Sequence, residues 1–461
     1  MYIEQLYTNC LAEAAYYIES DGVAAIIDPL RETSPYIELA KRRNAKIKYV
    51  FETHFHADFV SGHVDLAREA DAVIVYGPTA EAGFDILVAK DNEEFILGSI
   101  ILKVLHTPGH TMESSCFLLK DENGNDHAVF TGDTLFVGDV GRPDLAVKSD
   151  LTRENLAGLL YNSLNIKLKT LADDVIVYPA HGAGSACGKN IGKETFSTIG
   201  QQKKYNYALQ ATSKEEFVSA VLDGLTDPPK YFFMDALLNK NGYSRIDELM
   251  KKNTVALSTL EFLKEIEKGA LVLDTRDADI FEKGFISESV NIGLSGQYAP
   301  WVGAIIDANK PLVLIAEEGK EAEAILRLAR VGYENIHGYL KGGIKEWENT
   351  GNSIDNVVGI DPADFVKTIK QDDKIIDVRN QGEWETGIIE GATLISLNNL
   401  ENELSLLDKT KHYYIHCAGG YRSMMASSLM KKNGFTKITN VRGGVNKVKE
   451  AGLKLVLPIK N

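Results

Sequence analysis

Thr53–His63 reads THFHADFVSGH and places His54, His56 and Asp58 within five residues. Three further pieces follow along the chain: TPGHT with His110, TGDTLF with Asp133, and YPAHG with His181. Each comes after an apolar, strand-like run. Imidazole and carboxylate are donors for divalent transition metals, and four such pieces in one order point to a metal centre. Phe59 follows Asp58 where another donor would help a second ion, and a phenyl ring has no lone pair to offer. A complete second site is therefore disfavoured and a mononuclear centre preferred. Two neutral imidazoles and one carboxylate on one face of an ion leave open positions opposite. That set suits non-haem Fe(II) binding O2 beside a second substrate. A catalytic zinc accepts the same donors, so ligand type leaves both metals open.

Cysteine supplies the second chemistry. HCAGGYRS, residues 416–423, follows the apolar HYYI and precedes the helix-like MMASSLMKK. A cysteine on a glycine-bearing loop that leads into a helix has backbone N–H groups aimed at its sulfur, and the helix N-terminus adds partial positive charge. Both favour a thiolate and an anionic persulfide on Cys417, and Arg422 adds a formal charge. A dual-specificity-type phosphatase loop spaces cysteine and arginine by five residues. Here there are four, which favours sulfur over phosphate chemistry. Cys187 lies six residues after His181 in HGAGSACGKN, a small-residue loop expected to face the metal. It is either a small buried residue or a thiol that holds or relays substrate sulfur. Arg142, in GDVGRPDL, either clamps a substrate carboxylate or sulfur oxyanion with its donor fork or pairs with nearby Asp144. Cys10 and Cys116 sit in strand-like apolar text and are expected in the core.

The elements that must position these groups alternate along the chain. AAYYIES, VAAIIDP, IKYVFETH, AVIVYGP, IILKVLHTPGH, HAVFTGDTLF and DVIVYPAHG read as strands, with SPYIELAKRRN and VDLAREA as helices between them. Seven of the ten histidines precede residue 182, where strands end. From about 186 to 252 the text is helical and polar. The remainder contains a repeat of about 100 residues. LVLDTRDADIFEKGFI is echoed by KIIDVRNQGEWETGII, with Asp274 and Asp377 103 residues apart, and Gly342 is echoed by Gly443 at 101. Each unit alternates strand and helix, as a small α/β domain with a parallel sheet does. Three domains are expected: 1–252, 255–352 and 358–461. The 101-residue shift sets Ala316 opposite Cys417, with Glu317, Glu318 and Glu321 crowding a loop where an anion should sit. The first repeat is thus expected to be catalytically dead, a spacer or assembly surface.

At 461 residues, 44% hydrophobic and 25% charged, the composition is that of a soluble globular protein. The net charge of −15 disfavours nucleic acid and anionic membrane surfaces. No apolar run reaches the length of a spanning helix, and the N-terminus carries no signal-peptide pattern. Four scattered cysteines outside CxxC pairs argue against a disulfide framework and for a reducing cytoplasm.

THFHAD, TPGHT, TGD and YPAHG in this order resemble the metallo-β-lactamase superfamily. In its two-metal hydrolases the first motif usually reads H-x-H-x-D-H. Within it, the first 250 residues are similar to the persulfide dioxygenases. IDVR, C-x-x-x-x-R and RGG resemble the rhodanese pattern, so the whole chain resembles persulfide dioxygenase–rhodanese fusions of bacterial sulfide detoxification. The resemblance implies an αββα sandwich followed by two rhodanese-like α/β domains. It implies one Fe(II) per metallo-β-lactamase domain on His54, His110 and Asp133, with His56, Asp58 and His181 outer or vestigial. It also implies an arginine with substrate in the stretch of Arg142, and a cysteine in the loop of Cys187. Substrates would be a low-molecular-weight thiol persulfide, O2 and sulfite, with Cys417 carrying sulfur to give thiosulfate. A homo-oligomer is expected. The alternatives are a glyoxalase II-like thioester hydrolase joined to a sulfurtransferase, and a non-enzymatic sulfur carrier.

Overall fold

The computed structural model describes residues 1–146, 151–225, 227–370 and 372–458; the last three residues of the third expected domain lie outside these. The chain forms two units. One comprises Met1–Leu249 with Ala329–Gly332, the other Met250–Leu328 and Tyr333–Asn461.

The first unit is built on two six-stranded sheets. One orders Tyr2–Thr8, Glu13–Ser20, Val23–Ile27, Lys46–Phe51, Val73–Tyr76 and Leu87–Val88. The other orders Ser197–Thr198, Ile176–Pro179, Asp126–Gly132, Ser115–Lys120, Ile100–His106 and Glu94–Leu97. Successive strand side chains point to opposite faces, so one strand feeds two cores. In Glu13–Ser20, Ala14, Tyr16 and Ile18 enter the core between the sheets. Ala15 and Tyr17 enter the core under the helices Ser34–Arg43 and His63–Ala70. Every residue of this strand is buried, as expected of a strand covered on both faces. On the far side, Leu118, Val129 and Val177 pack with Leu160 of the Arg153–Ser163 helix and Phe217 of the Lys214–Leu222 helix. Helices therefore cover both outer faces, giving the αββα sandwich. Aromatic rings fill its middle: Phe51 meets Phe95 at 5.2 Å and Phe117 at 4.9 Å, and Tyr16 meets Phe130 at 4.9 Å.

Two local expectations differ from the structure. Residues after His181 run as loop and a two-residue strand, and helices begin only at Ile199. The small and glycine-rich text of 182–192 has no periodic apolar face to bury as a helix. Cys10 is half-buried in the turn after Tyr2–Thr8 rather than in a core strand. The Leu11 N–H donates to the Thr8 carbonyl and closes that turn early. Among the described residues, no helix is long and apolar enough to cross a membrane.

The second unit holds two five-stranded sheets of one design. Their strand orders are Ala256–Leu257, Ile336–Leu340, Leu312–Ile315, Leu271–Asp274, Val290–Asn291, and Val358–Ile360, Ile438–Val441, Tyr413–His416, Lys374–Asp377, Thr393–Leu394. All these pairings are parallel. Each repeat carries the same brace at its central strand end. Arg276 binds Asp274 and donates to the Gly284 carbonyl at 2.9 Å; Arg379 binds Asp377 and donates to Gly387 at 2.8 Å.

Candidate metal centre and sulfur-transfer loop

The candidate metal ligands gather at strand ends. Lys46–Phe51 delivers His54, Ile100–His106 delivers His110, Asp126–Gly132 delivers Asp133, and Ile176–Pro179 delivers His181. Candidate ligand atoms of His54, His110 and Asp133 all lie within 4.8 Å of one another. His110 Nε2 is 3.3 Å from Asp133 Oδ2, and His54 Nε2 is 3.8 Å from it. His181 Nε2 faces Asp133 Oδ1 and Asp58 Oδ2, both at 3.4 Å.

Hydrogen bonds behind the rings fix which nitrogen faces the centre. His110 Nδ1 lies 2.8 Å from the Arg142 carbonyl, and His181 Nδ1 lies 3.2 Å from that of Ala12. A carbonyl only accepts, so each Nδ1 carries a proton and each Nε2 is the nitrogen turned to the centre, with a lone pair there in the neutral ring. His54 Nδ1 lies 3.0 Å from Thr53 Oγ1, which itself donates to Asp28 Oδ2 at 2.8 Å. The Thr53 oxygen therefore accepts from His54 Nδ1. Three imidazole Nε2 atoms thus face one buried carboxylate. Among the described residues, His54 Nε2, His181 Nε2 and both Asp133 oxygens have no hydrogen-bond partner. Buried polar atoms are seldom left so, and a cation among them would satisfy all four. Burial, then the charges of His56, His110 and His181, push the His54 pKa well below the usual imidazole range, so the ring is neutral, as a ligand must be. The residues present fit a bound metal ion.

Glycines let the loops approach this closely. A Cβ on Gly141 would lie 1.9 Å from the Asp133 carbonyl oxygen and 3.0 Å from His110 Nδ1. Gly132, in the TGD turn, has φ +51°, and a Cβ there would lie 2.5 Å from Thr53 Oγ1.

His56, Asp58 and His181 also bring ligand atoms within 4.8 Å. Phe59 is buried beside them, its ring 4.4 Å from that of His56. His56 turns Nε2 away toward Asp28 Oδ1 at 3.1 Å. Burial alone would lower its pKa, but the Asp28 carboxylate overcomes this and holds it up at about 10. Glu52, itself pushed up by burial, accepts from Ser61 at 2.6 Å. The helical extension clamps this loop: Asn239 Nδ2 donates to the His56 and Phe59 carbonyls, both at 2.7 Å, and its Oδ1 accepts from the Ser61 N–H. Asp28, Thr53 and Asn239 escaped the sequence reading. Only Asp28, at a strand end in IIDP, carried a local signal.

Cys187 is buried, with Sγ within 4.8 Å of ligand atoms of Asp133 and His181. Burial, then Asp58 and Asp133, push its thiol well above the usual range. A cation beside those carboxylates would reverse that field. Arg142 forks onto Asp144 at 2.7 and 2.8 Å and reaches the Ala186 carbonyl at 3.3 Å. Its backbone N–H donates to the Cys187 carbonyl, so one residue ties the His110 ring to the Cys187 loop. Cys116 is a core thiol, pushed up to about 11 by burial.

In the last repeat, Cys417 follows the Tyr413–His416 strand and precedes the Tyr421–Lys432 helix. The Gly420 N–H donates to Cys417 Sγ at 3.1 Å, with Gly420 at φ +101°. The RGG glycines serve the same loop: a Cβ on Gly444 would lie 2.3 Å from the Cys417 carbonyl oxygen, which accepts from the Val445 N–H at 2.7 Å. Arg422 forks onto Glu383 at 2.5 and 2.8 Å. Ala316 holds the corresponding place in the other repeat, where exposed Glu317 and Glu318 follow it.

Comparison with known proteins agrees with this architecture. Residues 8–181 match the metallo-beta-lactamase superfamily, and 258–350 and 361–451 each match the rhodanese-like domain. A probable hydroxyacylglutathione hydrolase of Schizosaccharomyces pombe is 30% identical, over 46% of this chain and 86% of that protein. The human mitochondrial persulfide dioxygenase ETHE1 is 32% identical, over 42% of this chain and 69% of its own. A crystal structure titled metallo-beta-lactamase from Staphylococcus aureus aligns with TM-score 0.66 and 31% identity, covering 74% of this chain and 99% of that one.

Proposed function

The chain belongs to the metallo-beta-lactamase superfamily and carries two rhodanese-like domains, and on that footing we propose that it oxidises thiol persulfides and passes sulfane sulfur to sulfite. The observation that carries this reading is one set of two imidazoles and a carboxylate, His54, His110 and Asp133, in a protein whose other chemical centre is a rhodanese loop. Fe(II) on those residues would supply open positions for O2 and the substrate sulfur. The overall reaction balances as RSSH + O2 + H2O giving RSH and sulfurous acid.

The chain's own residues do the rest. Arg142 and Thr53 fix the His110 and His54 rings in the tautomers that ligate. Cys187 stands beside Asp133 as the thiol that holds or relays substrate sulfur. Arg142 holds Asp144 with both arms of its fork, and a substrate carboxylate would reach it by displacing that partner. His56, Asp58 and His181 act around the centre rather than on a second ion, because His56 Nε2 is turned to Asp28 and the Phe59 ring packs on His56 where a further donor would stand. In the last repeat, Cys417 attacks the terminal sulfur of a persulfide, RS⁻ leaves, and sulfite takes that sulfur from Cys417 as thiosulfate. Linking both activities in one chain raises the effective concentration of sulfite at the second.

The second reading, a thioester hydrolase, draws support from the hydroxyacylglutathione hydrolase relative and from the convergence of His56, Asp58 and His181. Asp133→Ala separates the metal centre from the sulfur-transfer loop, and hydrolysis of S-lactoylglutathione by the wild-type chain separates the two readings. The variant is expected to abolish O2 uptake with a persulfide while thiosulfate-to-cyanide sulfur transfer continues. Persistence of O2 uptake contradicts the ligand assignment.

A further inference from the structure

The Cys417 loop is not finished by its own repeat. Tyr421 sits inside it, between Cys417 and Arg422, and its hydroxyl donates to the Gly293 carbonyl of the thiol-less repeat at 2.6 Å. Its ring covers Gly296, where a Cβ would come within 2.5 Å of the ring. Arg327, on the Glu321–Ala329 helix of that repeat, holds the same segment from behind, donating to the carbonyls of Leu294 at 2.7 Å and Gly296 at 3.3 Å. This braced segment runs into the Tyr298–Ile305 helix and presents Gln297 and Trp301 to the cavity that opens on Cys417.

That cavity measures about 320 Å³ and is also lined by Asn380, Tyr421 and Arg422. Its size falls at the lower end of the roughly 300–1,000 Å³ found for organic ligands, more than a four-heavy-atom inorganic anion beyond its sulfane sulfur would fill. An indole ring and a side-chain amide are suited to an apolar stem with polar attachments. They offer no charge to a dianion. Arg422 is the one basic residue among those that line the cavity, and both arms of its fork are taken by Glu383.

We propose that the thiol-less repeat is the selective half of the sulfur-transfer site: Trp301 and Gln297 receive the organic part of a thiol persulfide, and Glu383 occupies Arg422, so that the organic donor is preferred to thiosulfate. This rests on the sulfurtransferase reading above. In the step itself, the Cys417 thiolate forms a bond to the terminal sulfur of R–S–SH as the R–S to S bond breaks. RS⁻ leaves with the electron pair and takes a proton from solvent, and no net oxidation occurs. The inactive repeat thereby has a function of its own as the wall that recognises R.

The test compares glutathione persulfide with thiosulfate as donors to cyanide, using the full chain under argon so that no persulfide is oxidised, with Cys417→Ser as the blank. The quantity read is the ratio of kcat/KM for the persulfide to that for thiosulfate. Trp301→Ala is expected to lower this ratio about fivefold through loss on the persulfide side, and exposed Gln297→Ala to lower it in the same direction without threatening the fold. Glu383→Gln is expected to lower it by a gain with thiosulfate, since Arg422 is released to the anion. Equal losses with both donors, or an unchanged ratio, in both wall variants overturn the wall. No gain with thiosulfate in Glu383→Gln overturns the role of Glu383. A wild-type chain that transfers sulfur from neither donor fails the sulfurtransferase reading itself and the proposal with it. A wild type active with both donors keeps that reading whatever the variants do.

Discussion

The two rhodanese-like repeats share a scaffold and differ in the loop after the central strand. Asp274–Arg276 and Asp377–Arg379 make matching braces, at 2.5 and 2.6 Å, and each sheet has the same strand order. The loops diverge. Cys417-Ala-Gly-Gly-Tyr-Arg wraps an N–H onto sulfur, whereas Ala316-Glu-Glu-Gly-Lys-Glu has no thiol and projects carboxylates. Even the close backbone approach is relaxed: a Cβ on Gly444 would strike the Cys417 carbonyl oxygen at 2.3 Å, but one on Gly343 would stand 3.4 Å from that of Ala316. The same scaffold therefore occurs with and without a thiol, and its buried ion pairs are expected to report on folding rather than on catalysis.

The sharpest contrast is the thiol itself. Cys417→Ser is expected to cut sulfur transfer by about a thousandfold or more and to shift product from thiosulfate to sulfite. An unchanged product ratio removes Cys417 from the reaction. Restoring a thiol to the other loop should fail. Ala316→Cys, made together with Cys417→Ser, is expected to recover under about 1% of transfer, because Glu317 and Glu318 repel an anionic donor. Substantial recovery would show that the loops differ by one residue only.

The braces should break the contrast in the opposite sense. Asp274→Ala and Asp377→Ala each leave a buried guanidinium unpaired, a change worth about 3–5 kcal/mol in either repeat. Denaturant melts should show similar losses from both. A loss in the thiol-bearing repeat alone would tie the brace to catalysis.

The smallest predicted difference is in pH. His416 stands where the other repeat has Ile315, and burial pushes its pKa below the usual imidazole range. The native state favours the neutral ring. That stability is present above about pH 6.5 and is lost as pH falls toward the lowered native value. Hydrogen exchange in Tyr413–His416 should quicken between pH 7.5 and 5.5, after correction for intrinsic rates, more than in Leu312–Ile315. His416→Ile should erase the difference.

What sequence could show follows from how local each signal is. His54, His110, Asp133 and Cys417 stand at strand ends inside short motifs, so their neighbours in the chain announce them. The αββα architecture was legible for the same reason, because alternating strands carry period-two patterns. Asn239 was not, since it meets the His56 carbonyl 183 residues away, and helix text alone does not say which loop a side chain will clamp. Trp301 and Gln297 were missed likewise: they act on a loop in another repeat. Arg142 was readable as either clamp or Asp144 partner, and the structure shows the pairing without removing the guanidinium from the loop beside Cys187.

The account turns on the metal centre. Metal analysis of protein purified without oxygen, followed by oxygen consumption with a defined persulfide, tests it most directly. One iron per chain, with one O2 consumed and one thiosulfate formed per two persulfides in the full chain, and one sulfite per persulfide in Cys417→Ser, is the expected result. Two zinc ions per chain, no oxygen uptake and rapid hydrolysis of S-lactoylglutathione would contradict it.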